Sequence, residues 1–239
     1  MKTVVVIPAY NEATALPALL AALGREVPEA TACVVDDGST DATADVAARS
    51  GVVVLRLPVN LGIGGAVQAG YLLARDRAAD AAVQLDGDGQ HDPAEIEALL
   101  GPLRRGEADL VIGSRFLAPG GFRSTAARRV GIRYLSWFLR LRCGVRVTDP
   151  TSGFRAANRA AIQLFARAYP SDYPEPESIA VAHRAGLRVV EVPVRMRERI
   201  HGSSSITALR SLYYLAKVSL ALLFLPVRGL TVRSPEASP

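Results

Sequence analysis

Apolar runs bounded by turn residues alternate with stretches of helical period through the first half of the chain. Thr3–Pro8, Thr31–Val35, Val52–Leu57, Ala81–Leu85 and Leu110–Gly113 read as buried strands. Helices are expected between them. The first is capped by Asn11 or Thr14 and runs to Leu23, with Pro17 in its first turn. The next is capped by Ser39 or Thr40 and runs to Arg49, and Gly62–Ala78 and Ala94–Arg104 follow. Strands and helices alternating at this spacing predict a mostly parallel α/β sheet flanked by helices. In such sheets ligands bind beyond the carboxyl ends of the strands.

After Arg115 the pattern loosens. Ala126–Arg142, Asn158–Ala168 and Ser178–Ala185 have helical period, and Thr148–Arg155 and Tyr173–Glu177 read as loops. Arg188–Arg199 reads as a strand that places Arg195, Arg197 and Arg199 on one face. Ser205–Leu225 is a long apolar helix interrupted by Arg210 and Lys217 and stopped by Pro226. A membrane span needs roughly twenty mostly apolar residues, so this helix suits a membrane interface better than a crossing, the other readings being a core helix packed on the sheet or a protein–protein surface. The expected organisation is a catalytic domain over residues 1–204, an apolar helix over 205–228 and a disordered tail over 229–239.

Composition narrows the class. Half of the 239 residues are hydrophobic, which excludes a disordered chain. The two cysteines, Cys33 and Cys143, form neither a disulfide scaffold nor a zinc site, so reduced thiols in a cytoplasmic protein are expected. The chain enters a strand at Thr3, and no cleaved leader is expected. The net charge is +5, and eight arginines and no acid lie between Arg115 and Thr148. That excess points to an anionic partner, phosphate or lipid, as against a plain solvated face. The run lacks a nucleic-acid-binding motif, and its aromatics Tyr134, Trp137 and Phe138 read as apolar packing, so no nucleic acid is expected.

The chemistry gathers at strand ends. Val83-Gln84-Leu85 runs into Asp86-Gly87-Asp88-Gly89-Gln90-His91. In extended backbone Asp86 and Asp88 point the same way, so both carboxylates can face one hard cation, with Gln90 as a third oxygen donor. An ordinary acidic turn is the other reading of the same residues. His91 alone reads as polar surface. Gly62-Ile63-Gly64-Gly65 begins like a dinucleotide fingerprint but sits in the wrong turn, and is read as close packing at a helix start.

Taken in order, Val6-Ile7-Pro8-Ala9-Tyr10-Asn11-Glu12, Val35-Asp36-Asp37-Gly38-Ser39, Asn60-Leu61-Gly62, Asp86-Gly87-Asp88, Gly113-Ser114-Arg115 and Asp149-Pro150-Thr151-Ser152-Gly153-Phe154 resemble family 2 glycosyltransferases. The resemblance covers about Thr3 to Ser205 and is strongest to the dolichyl-phosphate-mannose-synthase-like branch. It implies a GT-A fold and an inverting transfer of a hexose from a UDP- or GDP-sugar. It also implies Mg²⁺ or Mn²⁺ held by Asp86, Asp88 and Gln90, with His91 as a neighbour of the metal, the alternative to its surface reading. By the same analogy Pro8, Tyr10 and Glu12 line the nucleoside pocket, Val35 and Asp37 lie near base or ribose, and Gly87 belongs to the donor site. Arg115 and Arg199 are placed at the donor phosphates.

The implied acceptor is a polyprenyl phosphate, of undecaprenyl or dolichyl type, at the cytoplasmic membrane face. A peripheral membrane contact follows, or a small separate membrane protein as partner. The alternative is a glycan or small-molecule hydroxyl acceptor in cell-envelope polysaccharide synthesis. A hydroxyl needs a general base, for which Asp149, Glu175 and Glu177 are the candidates. A non-catalytic nucleotide-sugar or membrane-binding scaffold is the third reading. The chain departs from close relatives of that branch at Gly202-Ser203-Ser204-Ser205, which has no lysine, so His201 or Arg199 is left to replace that phosphate contact.

Overall fold

In the computed structural model described here, residues 1–117, 126–196 and 208–224 are placed. Arg197, Arg199, His201, the Gly202–Ser205 stretch, the boundary expected at 204 and the tail from 229 lie outside the described residues.

A seven-stranded sheet carries the described chain. Its strands are β1 (Thr3–Ala9), β2 (Thr31–Asp36), β3 (Val53–Arg56), β4 (Ala81–Gln84), β5 (Leu110–Ser114), β6 (Arg155–Asn158) and β7 (Val189–Pro193), in the order β3-β2-β1-β4-β6-β5-β7. Every pairing is parallel except those of β6, which runs antiparallel to both β4 and β5. Strands buried on both faces read as unbroken apolar runs, as Val4-Val5-Val6-Ile7 does.

Alternate residues of β1 divide between two cores. Val5 and Ile7 pack with α1 (Leu16–Glu26), α2 (Thr43–Arg49) and α4 (Ile96–Arg104). Val4 and Val6 pack with α3 (Gly62–Asp76) and α6 (Arg159–Arg167). A third cluster lies under α5 (Ala126–Cys143), α7 (Pro174–Arg184) and α8 (Ala208–Phe224).

The structure corrects several expectations. Arg155–Asn158, read as loop and helix start, is strand β6, because four residues with paired neighbours on both sides need no apolar alternation of their own. Pro174 opens α7, so Glu175 and Glu177 stand in its first turn and not in an extended loop. Proline at that position lacks only an N–H that the helix would leave unpaired. Neither Asn11 nor Thr14 caps α1, whose N-cap is Ala15. Asn11 adopts a left-handed backbone, φ 57°, and its side chain accepts from Thr40 N and Asp41 N. Ser39 and Thr40 likewise leave the start of α2 to Asp41, which accepts from Thr43 N at 2.9 Å.

Close packing at the start of α3 is as the glycines suggested. A Cβ on Gly64 would stand 2.2 Å from the carbonyls of Pro170 and Ser171, and one on Gly70 2.0 Å from Val6. Gly70→Ala should therefore lower the unfolding free energy by about 1–3 kcal/mol, because Val6 is a stiff side chain in a full core. Urea denaturation measures this, and an unchanged midpoint would show that α3 does not lie this close to β1.

Candidate active site

The loops after β1, β2 and β4 meet at the carboxyl edge of the sheet and are stitched there by backbone hydrogen bonds. Asp37 N donates to Ala9 O at 2.9 Å, Gly87 N to Pro8 O at 3.3 Å and Leu85 N to Val6 O at 2.9 Å. They enclose an open cleft of about 320 Å³. Its walls include Pro8, Tyr10, Glu12, Asp37, Asp86, Gly87 and Asp88, seven residues proposed from sequence for donor or metal. Asn60, Gly62 and Ile63 of the β3–α3 turn close the far side. Tyr10 and Ile63 remain exposed at this cleft, presenting apolar surface suited to a planar base.

Val35 is not part of the cleft. It is fully buried with Val4, Val6 and Cys33 on the α3 side of the sheet, because a strand sends alternate residues to opposite faces. Asp37 is nearly buried and accepts from Leu61 N at 2.7 Å, so it holds the turn that starts α3. Burial pushes its carboxyl above the usual range, and the Leu61 and Gly62 amides pull it back.

Asp86 and Asp88 supply the hard oxygens of the cleft. Among the described residues no group of three His, Cys, Asp or Glu is arranged to hold a metal. Two carboxylates nonetheless suit Mg²⁺ or Mn²⁺ when a diphosphate completes the shell. Gln90 has a supporting task as well. Its side-chain nitrogen donates to Asp88 Oδ2 at 2.7 Å and its backbone N–H to Asp88 Oδ1 at 3.0 Å, so it clamps Asp88 through its nitrogens.

His91, read as surface, is 1% exposed and stacks on Phe154 with ring centroids 4.8 Å apart. Its Nδ1 accepts from Asp86 N at 3.0 Å, which fixes the backbone that carries the carboxylate. Burial holds the imidazole below the ordinary histidine range, against the pull of Asp86 and Asp88.

Arg115 and Asp149 are brought together, and both are withdrawn from the cleft. Arg115 Nε donates to Asp149 Oδ2 and its Nη2 to Asp149 Oδ1, each at 2.6 Å, and Nη2 also reaches Thr151 Oγ1 at 2.7 Å. Asp149 is wholly buried. A carboxylate gripped at both oxygens is poorly placed to take an acceptor's proton, and Arg115 braces the 149–151 turn where a donor-phosphate contact was expected. Glu191 of β7 completes the brace by accepting from Thr148 N at 2.6 Å and Asp149 N at 2.8 Å. Of the two glutamates in α7, both are pushed up by burial, Glu175 also feeling the charges of Arg155, Asp86 and Arg115 and Glu177 those of Asp172 and Lys217. Neither is among the residues that wall the cleft.

Residues 4–165 match the family described as glycosyl transferase family 2. The chain belongs to glycosyl transferase family 2. Undecaprenyl-phosphate mannosyltransferase of Micrococcus luteus is 34% identical over 87% of this chain and 88% of its own. Polyprenol monophosphomannose synthase of Mycolicibacterium smegmatis is 32% identical over 86% and 81%. These place the chain beside the polyprenyl-phosphate branch. Glucosyl-3-phosphoglycerate synthase from Mycobacterium tuberculosis, solved with phosphoglyceric acid, superposes with a TM-score of 0.71 at 25% identity, covering 94% of this chain and 79% of that one. The same enzyme has been solved with Mn²⁺ and UDP. The fold is thus the GT-A fold of a nucleotide-sugar hexosyltransferase.

Three residues of this family 2 site went unrecognised in the sequence: His91 as a buried support, Glu191 and Arg155. Arg155 is 1% exposed and donates to Ser152 O at 2.7 Å, Pro150 O at 3.2 Å and Ser178 Oγ at 2.6 Å. Gly153-Phe154 were visible as the end of a motif, but nothing in the spacing showed that the arginine after them turns inward.

Two outcomes follow from these buried charges. Asp149→Ala strands the Arg115 cation and should cost about 3–5 kcal/mol. The Arg115→Met/Asp149→Leu pair should recover most of that, a non-additivity readable by denaturation. His91 gives a pH signature. A depressed histidine contributes stability above its unfolded pKa of about 6.5 and loses it as pH falls toward the folded value. In EDTA, stability should therefore decline below about pH 6.5, and His91→Gln should flatten that decline.

Proposed function

We propose that this protein is an inverting hexosyltransferase that moves a sugar from a nucleoside diphosphate to a polyprenyl phosphate. The observation that carries the donor half is the meeting of Asp86, Asp88, Asp37, Glu12 and Tyr10 around one cleft at the carboxyl edge of the sheet. The acceptor half is supported by the relatives acting on lipid phosphates and by the cationic segment beyond Arg115.

In this reading the nucleoside lies between Tyr10 and the β3–α3 turn, and its diphosphate extends toward Asp86 and Asp88. A bound Mg²⁺ or Mn²⁺ supplies Lewis-acid neutralisation of the leaving diphosphate. Gln90 and His91 keep the two carboxylates aimed, so that the charge developing on the donor meets groups already in place. The acceptor oxygen attacks the anomeric carbon from the face opposite the diphosphate. A phosphate oxygen is already ionised at neutral pH, so no base is required, which agrees with Asp149 being committed to Arg115.

A hydroxyl acceptor is the second reading, and Glu175 is the observation that favours it. Burial pushes its carboxyl above the usual range, against the pull of the Arg155 charge, which makes it the more basic carboxylate a hydroxyl acceptor would need. In both readings residues 1–204 form the catalytic unit, and α8, packed on α5 and α7, is the membrane-contacting element with the tail beyond it. The working place is the inner face of the cytoplasmic membrane, reached by peripheral contact or through a small membrane partner.

A transfer assay separates these readings. Labelled UDP- and GDP-sugars are offered with Mg²⁺ or Mn²⁺ and a detergent-dispersed polyprenyl phosphate. Label should enter the organic phase, and Asp88→Ala should lower that rate by about 10²-fold or more. Glu175→Gln should leave the rate within a few-fold if the acceptor is a lipid phosphate. Donor hydrolysis with no lipid labelling would instead favour the hydroxyl acceptor.

A further inference from the structure

Two helices bring apolar side chains to the surface in register. On α5, Val130, Tyr134, Trp137 and Leu141 follow the i, i+4, i+7, i+11 spacing of one helix face. Val130, Trp137 and Leu141 are 65, 57 and 64% exposed. Ile132, Leu135 and Leu139 are buried on the opposite face, so α5 meets its core with one side and leaves a second apolar side uncovered. This overturns the reading of Trp137 as packing.

On α8, Tyr213, Leu220 and Phe224 repeat the arrangement against buried Val218 and Leu222. The helices lie side by side. Tyr134 Oη and Ser219 Oγ share a hydrogen bond of 2.9 Å, and Arg142 donates to Leu223 O at 3.0 Å. The two stripes are therefore neighbours on one surface. Single exposed apolar residues are ordinary, but a stripe continued across two helices marks an interaction site.

Charge selects the occupant. Arg129, Arg133 and Arg140 are exposed and recur at i, i+4 and i+11 along one edge of the α5 stripe. No acid occurs anywhere in α5. A ridge carrying Trp, Tyr and Leu and edged by arginines matches the interface between acyl chains and anionic headgroups. No helix among the described residues is long and apolar enough to cross a membrane. We propose that the joint α5–α8 face docks on the surface of an anionic lipid bilayer, with Trp137, Leu141 and Leu220 entering the interface and the arginine row meeting lipid phosphates. This deepens the membrane contact proposed above and rests on it.

Trp137 is the only tryptophan in the chain and reports on the face directly. The full chain is titrated with phosphatidylcholine vesicles, with and without phosphatidylglycerol, and Trp137 emission is recorded. The expected result is a blue shift, with quenching by acyl-brominated lipid, on the anionic vesicles and its weakening by salt. Arg129→Gln/Arg133→Gln/Arg140→Gln should lower partitioning at least about tenfold. Leu141→Gln/Leu220→Gln, both at exposed positions, should abolish the shift while transfer to a detergent-dispersed acceptor persists. Absence of a shift on anionic vesicles overturns the proposal, as does an equal shift on neutral ones. A shift that needs no vesicles and grows with protein concentration would mean that a second copy covers the face, and overturns it too. The vesicles hold neither donor nor polyprenyl phosphate, so failed docking and failed transfer are separate results.

Discussion

The antiparallel entry of β6 between β4 and β5 is the constraint on which the active site depends. It pairs Gln84 with Arg155, the last residue of β4 against the first of β6. The chain just beyond β4 carries Asp86 and the chain just before β6 carries the 149–153 turn, so this one register sets them face to face. Gly153 makes the approach possible. A Cβ there would stand 3.0 Å from Asp86 Oδ2 and 3.1 Å from Gln84 Nε2. Arg155 then fastens the turn by donating to its carbonyls, and through Ser178 it ties the same turn to α7. A buried guanidinium is costly to desolvate, and it persists because several hydrogen bonds compensate it.

A division of labour among the acids follows from this frame. Asp149 is gripped at both oxygens by Arg115, whereas Asp37 holds the turn that starts α3 while still lining the cleft. Asp86 and Asp88 line the cleft, each braced by neighbours in the loop after β4. His91 holds Asp86 by its amide, and Gln90 holds Asp88. The carboxylates remain in the cleft wall with their direction already set. Preorganisation of this kind is what electrostatic catalysis of a leaving diphosphate requires. On the other side of β5, the helices α5 and α8 offer a cationic and apolar surface, so the anionic donor and a lipid acceptor would approach from chemically distinct sides.

Much of this was legible in the sequence because it depends on local pattern. The first five of the six parallel strands announced themselves as apolar runs, and the motifs at their ends fell on one sheet edge by topology alone. What stayed hidden depends on partners distant in the chain. Arg155-Ala156-Ala157-Asn158 has no strand signature of its own and is a strand only because β4 and β5 flank it. Val35 sits in a donor motif yet points to the core, a choice set by strand register that spacing does not reveal. His91 and Glu191 took their roles from burial and from loops some distance away in sequence. Tyr173-Pro174-Glu175-Pro176 looked extended because prolines break helices in their interiors, whereas at a helix start they cost little.

The central claim is that the carboxyl edge of β1, β2 and β4 forms a single metal-assisted nucleoside-diphosphate site anchored on Asp86. Calorimetric titration of the full chain with UDP and with GDP, in Mn²⁺ and again in EDTA, tests it most directly. One of the two nucleotides should bind in Mn²⁺, lose at least about tenfold in affinity in EDTA, and lose its Mn²⁺ dependence in Asp86→Asn. Affinity unchanged by EDTA, or an Asp86→Asn protein that keeps the full Mn²⁺ effect, would contradict the account.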